Sequence, residues 1–386
     1  MTASGTAPAT VTPAPATPGP SPIVRRRDRA RRRWRIERRL ETPWYLEAGA
    51  IGGGIVTAVL ACAVLIAAAG SDVIESYRAL YNGAFGSGNA AIETLVQATP
   101  LIFTGLAATF AFRAKVWNIG AEGQLYAGAM GAFWASELMA GSTPRIVLIP
   151  LVMVFAAVFG AGWAAIAAGL RTRFGVNEII STVMLNFVIL NIVSFLLADW
   201  WQDPQSFYYQ TARMPDVVAL PRLFDSGRLH LGFIIALVTA AVVWFVLERT
   251  SFGYEVRSIG ANPRVATYGG IQSGRIILAT MLVSGAIAGL AGASELTGIH
   301  LRLQLDISDN LGFTGIIIAL VARLRAAGVV IAAIIAGALT NGATTMQLTT
   351  GVPAALVDVL KGLALVLVLL AAVVVNYRVR RVQGDG

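Results

Sequence analysis

Nine polar or ionisable residues stand inside otherwise apolar stretches of this sequence. Such groups are costly in hydrocarbon, so they usually mark solute contacts or structural pairs when they occur there. Amides and carboxylates can hydrogen-bond a small polar solute, which makes these positions candidates for solute contact. They are Glu122, Gln124, Glu178, Asn186, Asn191, Glu295, Asn341, Asp358 and Lys361.

Some of these positions also have a structural explanation. Asp358 and Lys361 are three residues apart and share a helix face, so mutual neutralisation is favoured over solute contact. Glu122 and Glu178 stand near predicted cytoplasmic helix ends, where structural and translocation roles are equally well supported. Either carboxylate could cap a helix there or pair with a basic residue. The basic residues in question are Lys115, Arg171 and Arg173.

Other kinds of site lack their residues. No Gly-x-x-x-x-Gly-Lys-Ser/Thr loop is present to cradle ATP phosphates, so we expect no ATPase activity and no cofactor bound by this chain. His230 and His300 stand alone, without metal-ligand spacing, and interfacial hydrogen bonding is their favoured role. The single cysteine, Cys62, lies in an apolar stretch and can form no disulfide within the chain.

The polar stretch 248–270 contains start and stop signals for a short helix. Asn262 can cap a helix that Pro263 opens, and the pair Gly269 and Gly270 can end it. A compact helix between two membrane spans, at the cytoplasmic face, is suited to receive a push from a soluble motor protein.

The elements that must position these residues are predicted membrane spans. Of the 386 residues, 56% are hydrophobic and only 13% are charged, whereas a soluble domain carries about 25% charge. Ten stretches approach the ~20 apolar residues that cross a bilayer, which predicts an all-α polytopic membrane protein. They are 48–69, 91–112, 118–140, 146–170, 176–198, 229–247, 275–297, 309–324, 328–348 and 353–377. The third, which is diluted by polar residues, and the eighth, which is short, are the weakest.

Basic residues alternate between the two sides of these spans. With the N-terminus inside, 23 of the 30 basic residues fall in predicted cytoplasmic segments and six in outer segments, which obeys the positive-inside rule. Ten of them lie in the run 25–39, where they fit cytoplasmic anchoring. The aromatic and basic interleaving of nucleic-acid binding is missing, so we expect no nucleic-acid partner. Both termini are therefore predicted to be cytoplasmic.

Four segments follow from this pattern. Residues 1–24 are Pro- and Ala-rich and predicted to be disordered. Residues 25–47 form a basic cytoplasmic segment, 48–377 the transmembrane domain and 378–386 a cytoplasmic tail.

Three further patterns concern packing and symmetry. Gly285-Ala-Ile-Ala-Gly289 is a stripe of small residues that lets helices approach closely. The aromatic residues of 199–228 favour a membrane-interface belt, with docking of an external partner as the alternative. Asn118-Ile-Gly-Ala-Glu-Gly123 and Asn310-Leu-Gly-Phe-Thr-Gly315 share a pattern, which fits an inverted repeat of spans 2–5 and 7–10 or chance in a glycine-rich chain.

Four segments resemble the permeases of bacterial ABC importers in the branched-chain amino acid, simple sugar and nucleoside group, and the nucleoside or simple-sugar branch looks closest. The resemblance extends from about residue 90 to the end of the chain. The segments are Val116-Trp-Asn-Ile-Gly-Ala-Glu-Gly-Gln124, Gly175-Val-Asn-Glu-Ile-Ile-Ser-Thr-Val-Met-Leu-Asn186, Arg257-Ser-Ile-Gly-Ala-Asn-Pro-Arg-Val-Ala-Thr-Tyr-Gly-Gly-Ile271 and Gly312-Phe-Thr-Gly-Ile316.

The resemblance implies a multi-pass subunit of the bacterial inner membrane that pairs with a second, homologous permease. It also implies a cytoplasmic ATPase that holds ATP and Mg, and an extracellular solute-binding protein. The residues implied to couple to the ATPase are Gly260, Asn262, Pro263, Arg264, Tyr268 and Gly269. Those implied to line or gate the solute path are Asn118, Glu122, Gln124, Asn186, Phe313 and Thr314.

Two features depart from the family pattern. The basic, Pro-rich N-terminal extension is longer than the family requires, and the loop 323–328 lacks the expected Asn-Pro turn. The second departure argues against an ATPase contact by that loop.

The function predicted on these grounds is ATP-driven import of a nucleoside or a related simple sugar. Within the same class, a pentose, another sugar or a branched-chain amino acid is the alternative substrate. An ion-coupled secondary transporter is a rival of a different class, in which Asp358 or a midplane glutamate would bind the ion. A non-transporting membrane scaffold is a third, although it would not need polar residues at the midplane.

Overall fold

The computed structural model describes residues 33–38, 43–374 and 377–382. The chain divides into a helical unit, Thr42–Val375, and a second unit that contains two strands. The predicted disordered tail 1–24 lies outside the described residues. Parts of the predicted basic segment 25–47 and of the predicted tail 378–386 lie outside them as well.

Thirteen α-helices form the described part of the helical unit. They are α1 (Trp44–Ala68), α2 (Val73–Phe85), α3 (Gly88–Arg113), α4 (Ala121–Met139), α5 (Arg145–Phe174), α6 (Glu178–Ala198), α7 (Gly232–Arg249), α8 (Ser251–Ala261), α9 (Pro263–Tyr268), α10 (Ser273–Glu295), α11 (Leu311–Val321), α12 (Ala326–Thr350) and α13 (Ala354–Val374). A single 3-10 turn, Asp216–Val218, precedes α7, and a π-helical turn, Leu296–His300, extends α10.

Each of the ten predicted spans has a helix in the structure. Eight helices within the described residues are long and apolar enough to cross a membrane, namely α1, α3, α5, α6, α7, α10, α12 and α13. The other two, α4 and α11, correspond to the third and eighth predicted spans. The prediction of a helical membrane protein is confirmed. With 11 residues, α11 covers roughly 16 Å, about half of the hydrocarbon thickness.

Two helices were not predicted. One is α2, which follows the first span, and the other is α8, which precedes the short helix predicted in the stretch 248–270. Both are amphipathic and too polar to be recognised as spans. Each lies between membrane helices.

The predicted stripe of small residues is a packing surface. A Cβ atom on Gly289 of α10 would lie 2.2 Å from the carbonyl oxygen of Ala156 in α5. A Cβ atom on Gly128 of α4 would lie 2.3 Å from the Cα atom of Gly289. The backbones of α4, α5 and α10 therefore touch directly, as small residues permit in membranes.

The long connection between α6 and α7 folds against the segment that follows α10. Thr211 donates a backbone hydrogen bond to Leu303 (3.0 Å), and Leu220 donates one to Thr297 (2.9 Å). Five aromatic side chains of this connection are exposed, which suits the predicted interface belt: Trp200, Phe207, Tyr208, Tyr209 and Phe224.

The second unit contains an antiparallel strand pair that was not predicted. Strand β1 (Arg33–Arg38) pairs with β2 (Tyr377–Val382), so that Arg35 lies opposite Arg380. The all-α prediction therefore describes the helical unit, and these two basic terminal segments depart from it.

Candidate functional site

The segment between α3 and α4 runs back into the middle of the helical unit. The side-chain Nδ2 of Asn118 donates a hydrogen bond to Ser284 Oγ at 2.9 Å, and Ser284 lies halfway along α10. Ser284 Oγ in turn donates to the carbonyl of Ala107 in α3 at 2.7 Å. Helix α4 therefore starts inside the bundle, level with the middle of α10.

Asn118 and Gln124 pair through both of their amide groups. Asn118 Nδ2 donates to Gln124 Oε1 at 2.9 Å, and Gln124 Nε2 donates to Asn118 Oδ1 at 3.0 Å. The same Asn118 oxygen accepts the N–H of Gly120 at 3.0 Å. Both side chains are buried. Their hydrogen-bonding groups are thus satisfied within the protein in this conformation.

One face of α6 holds the start of α4. Asn186 Oδ1 accepts the N–H of Gly123 at 2.8 Å, and its Nδ2 donates to the carbonyl of Ile119 at 2.9 Å. One turn earlier, Thr182 Oγ1 accepts the N–H of Ile119 at 3.3 Å. Thr182 and Asn186 are four residues apart and therefore lie on the same face of α6. Both can thus bond the backbone of the segment that begins α4.

Glu122 joins the start of α4 to the start of α11. Its Oε2 accepts the N–H of Gly312 at 2.7 Å, although Glu122 is almost fully buried. A carboxylate at a helix N-terminus accepts hydrogen bonds from the free N–H groups there, and its negative charge interacts favourably with the helix dipole. Of the two structural roles predicted for Glu122, this contact confirms the capping of a helix and takes the place of the alternative pairing with a basic residue. The predicted pairing of Glu178 with a basic residue is confirmed by its ion pair with Arg171.

The structure therefore brings four of the six predicted path residues together. We call Asn118, Glu122, Gln124, Asn186 and Ser284 the mid-depth polar cluster. Ser284 was missed, although a serine in the middle of a Gly- and Ala-rich span is a signal that could have found it. The other two predicted residues lie on α11, where Phe313 is 37% exposed and Thr314 is half-buried.

The two shared Asn-x-Gly-x-x-Gly patterns lie at the two helix starts that Glu122 joins. Asn118 precedes α4, and Asn310 immediately precedes α11. This placement gives both patterns a local role, and the inverted repeat itself stays a prediction.

The predicted capped helix is confirmed as α9. Asn262 Oδ1 accepts the N–H groups of Arg264 (3.1 Å) and Val265 (3.3 Å). Pro263 is the first helical residue, and Gly269 caps the end. Tyr268 is 93% exposed and Val265 is 64% exposed. Together α8 and α9 form one continuous surface segment, which we call the α8–α9 segment.

Gly260 differs from the other predicted coupling residues because it is buried. A Cβ atom at this position would lie 2.0 Å from the carbonyl oxygen of Arg113, the last residue of α3. Gly260 therefore packs α8 against α3. Arg264 and Tyr268, in contrast, are exposed.

Most of the remaining polar residues of the spans have structural partners. Asn341 donates to the carbonyls of Gly83 (2.7 Å) and Ala90 (3.0 Å) and so ties α12 to the junction of α2 and α3. The favoured pairing of Asp358 with Lys361 is confirmed by a 2.7 Å contact. Glu295 Oε2 lies 3.6 Å from His300 Nε2.

Asn191 differs from these residues because it faces outward. It lies midway along α6, is exposed, and donates to the carbonyl of Phe187 at 2.8 Å on the same helix. Around it lies a shallow apolar groove of α6 formed by Met184, Phe187, Val188, Ile192 and Phe195.

His230 is fully buried just before α7. Its Nδ1 accepts the N–H of Gly232 at 3.2 Å. Burial disfavours the charged imidazolium and lowers the pKa of His230 from 6.5 to about 4. The prediction that His230 forms a hydrogen bond is confirmed. The predicted location at the membrane interface is not, because the side chain is buried in the protein.

Comparison with known proteins gives a family match and several relatives. The model of the branched-chain amino acid transport system permease component matches residues 90–369. The guanosine ABC transporter permease protein NupP of Bacillus subtilis is 36% identical over 86% of this chain and 94% of its own length. The glucose ABC transporter permease protein TsgB13 of Haloferax volcanii is 32% identical over 89% of this chain and 93% of its own length. The nucleoside ABC transporter permease protein NupB of Lactococcus lactis is 31% identical over 79% of this chain and 86% of its own length. No solved structure matches the chain.

Proposed function

The chain belongs to the family of permease components of branched-chain amino acid transport systems, and on this basis we propose that it imports a nucleoside or related simple sugar as the membrane subunit of an ATP-driven transporter. One observation above all supports the proposal. The mid-depth polar cluster lies where α4 and α11 start, and helix starts at the midplane are where transporters bind polar solutes.

The nucleoside assignment is supported by the names of two relatives, one described for guanosine and one for nucleosides. A relative described for glucose keeps simple sugars, including pentoses, in the same proposal. In the conformation described, the amides of Asn118 and Gln124 are paired with each other. Solute would therefore compete with an internal pair when the site opens, and Phe313, exposed nearby on α11, would supply a stacking surface.

The ATPase is proposed to be a separate cytoplasmic subunit that holds ATP and Mg and docks on the α8–α9 segment. The capped and exposed helix α9 offers a defined projection for such contact. This arrangement puts both chain termini in the cytoplasm, in the orientation that the basic residues favour. The extracellular binding protein would then meet the opposite face, where the connection between α6 and α7 exposes its aromatic side chains.

A second permease subunit is proposed to pack on the outward face of α6. Asn191 is an amide in the middle of a 21-residue apolar helix, and its exposure there would place a polar group in lipid. A partner helix that hydrogen-bonds Asn191 removes this cost, because polar residues commonly bridge helices in membranes.

Reconstitution tests the proposal directly. This chain, the second permease, the ATPase and the binding protein are incorporated in proteoliposomes, and uptake of nucleosides, pentoses, hexoses and branched-chain amino acids is measured with and without ATP. We expect ATP-dependent uptake of a nucleoside or sugar. Uptake that survives ATP depletion and disappears with an ionophore would instead identify an ion-coupled secondary transporter. No uptake of any solute would favour a scaffold.

A further inference from the structure

Helix α11 is held at both ends by charged residues that flank the segment between α3 and α4. At its start, the N–H of Gly312 donates to Glu122 Oε2 at 2.7 Å. Just beyond its end, Arg113 Nε donates to the carbonyl of Leu324 at 2.9 Å. A carboxylate at the start of a helix and a guanidinium at its end both interact favourably with the helix dipole. Glu122 and Arg113, which belong to other helices, therefore hold the two ends of α11.

The turns at both ends of α11 separate it from its neighbours. Asp309 (φ 41°) and Asn310 (φ 63°) precede the helix, and Arg323 (φ 54°) and Leu324 (φ 56°) follow it, all in the left-handed region. Residues other than glycine adopt this region at a cost, so the surrounding contacts must hold them there. Such turns are places where a short helix can change position relative to the helices that it connects.

Helix α11 packs closely on α3. A Cβ atom on Gly315 would lie 2.4 Å from Thr104 Oγ1 of α3. One turn further on, Ala319 packs with Ala108 and Ala111 of α3. Larger side chains pack there as well, with Ile318 of α11 close to Gly105 of α3 and Leu320 in the cluster that contains Phe112. The two end contacts therefore add to this packing in holding α11 along α3.

Arg113 also connects this helix to the α8–α9 segment. Its Nη2 lies 2.5 Å from Glu248 Oε1 near the end of α7, and Glu248 Oε2 lies 3.8 Å from Arg257 Nη1 in α8. The backbone carbonyl of Arg113 touches Gly260 of α8. Arg113, which is mostly buried at the end of α3, thus contacts the turn after α11, the end of α7 and, through its backbone carbonyl, Gly260 near the end of α8.

We propose that Arg113 is the positioning residue that transmits movement of the α8–α9 segment to α11, so that ATP hydrolysis and solute passage occur together. The inference rests on the proposed function. It assigns a role to a residue that the family motifs do not include. Displacement of α8 shifts the carboxylate of Glu248 and the carbonyl of Arg113, and the guanidinium carries this shift to Leu324. The other end of α11 borders the mid-depth polar cluster, where the shift would open or close the solute path.

The test measures ATP hydrolysis and solute uptake together in the reconstituted transporter. For Arg113→Gln we expect ATP hydrolysis within about twofold of wild type and a fall in solute molecules per ATP of about tenfold, which is within the usual range of coupling between sites. Arg113→Lys keeps the charge, but one ammonium does not replace the fork that serves both Leu324 and Glu248, so an intermediate ratio is expected. Arg249→Gln is the control, since Arg249 is exposed and stacks on Trp244 at 5.5 Å within α7; its ratio should stay at the wild-type value.

A second measurement separates transmission from simple loss of structure. Fluorophores are placed at Tyr254→Cys, on the exposed side of α8, or at Ile317→Cys, half-buried on α11, in a Cys62→Ala background, because Cys62 is the single native cysteine of this chain. In an otherwise wild-type transporter both labels should respond to ATP. With Arg113→Gln added, the Tyr254→Cys label should still respond and the Ile317→Cys label should not.

The outcomes are distinguishable. If Arg113→Gln lowers uptake and hydrolysis in equal proportion, or leaves both labels responsive, Arg113 has no transmitting role and the inference is wrong. If Arg113→Gln prevents assembly, Glu248→Gln breaks the same connection from the other side and is expected to lower the ratio; an unchanged ratio there would also overturn the inference. Absence of ATP-driven uptake in the wild-type transporter would instead refute the proposed function.

Discussion

Glu122 and Gly312 bring the starts of two helices into contact, with the carboxylate of one 2.7 Å from the backbone nitrogen of the other. The contact depends on the missing side chain of Gly312, because a Cβ atom there would lie 2.3 Å from the backbone nitrogen of Glu122. Since α4 begins at mid-depth, this contact determines how closely α11 approaches the mid-depth polar cluster.

Substitution of Gly312 by alanine should therefore separate the two helix starts. Overpacking of this kind costs about 1–3 kcal/mol of folding free energy, and we expect a lower melting temperature in detergent together with reduced uptake. Gly162→Ala is the matched control, because nothing lies within 4 Å of a Cβ atom there. Equal melting temperatures for the two variants would contradict the close contact.

Asn186 should be needed for the fold of the subunit. Replacement by leucine, which is similar in size, leaves the N–H of Gly123 and the carbonyl of Ile119 without their side-chain partner. Each buried polar group left unpaired costs about 1–3 kcal/mol. We expect Asn186→Leu to lower the melting temperature of the isolated subunit clearly, whereas Asn191→Leu on the exposed face of the same helix changes it little. The reverse order would show that Asn186 does not hold α4.

The sequence predicts those features of the structure that depend on neighbouring residues, and it does not predict contacts between residues far apart in the chain. Hydropathy is a local property, so the ten helical segments could be predicted. The cap at Asn262 is local too, because its bonds reach only two and three residues along the chain. The partners of Asn186 and Glu122 are 63 and 190 residues away in sequence, and no local pattern specifies them. The mid-depth start of α4 was missed for the same reason.

The face of α6 around Asn191 should bind the second permease. Asn191→Leu removes the amide that a partner helix would bond, and we expect less second permease to co-purify while the subunit itself folds normally. Thr57→Leu is the control, since Thr57 is an exposed polar residue of α1 that likewise bonds a carbonyl of its own helix, at 2.8 Å. Equal co-purification with both variants would place the interface elsewhere.

His230 should make the stability of the protein depend on pH in the acid range. The pKa of the buried ring is about 4 in the folded protein and 6.5 when it is free of the fold, so the unfolded chain binds more protons between these values. Stability is fully present above pH 6.5 and falls as the pH decreases towards 4, by at most about 3 kcal/mol from this group.

Melting temperatures between pH 7.5 and 4.5 test this prediction. His230→Asn keeps an acceptor for the N–H of Gly232 and removes the titrating ring, so its melting temperature should decline less on acidification. His300→Gln, at the other histidine, should retain the decline due to His230. Parallel curves for wild type and His230→Asn would mean that His230 is not buried as a neutral ring.

The exposed residues of α9 give the cleanest test of ATPase docking. Gly260→Ala would be ambiguous, because its Cβ atom would strike the carbonyl of Arg113 and disturb the fold as well as any contact. Tyr268 is almost fully exposed and Arg264 is also exposed, so alanine there removes contact surface and leaves the cap at Asn262 intact. We expect Tyr268→Ala and Arg264→Ala to reduce co-purification of the ATPase at an unchanged melting temperature. Tyr208→Ala, at an exposed tyrosine in the connection between α6 and α7, should leave co-purification unchanged. If it reduced ATPase binding as much as Tyr268→Ala does, the ATPase would not dock specifically on α9.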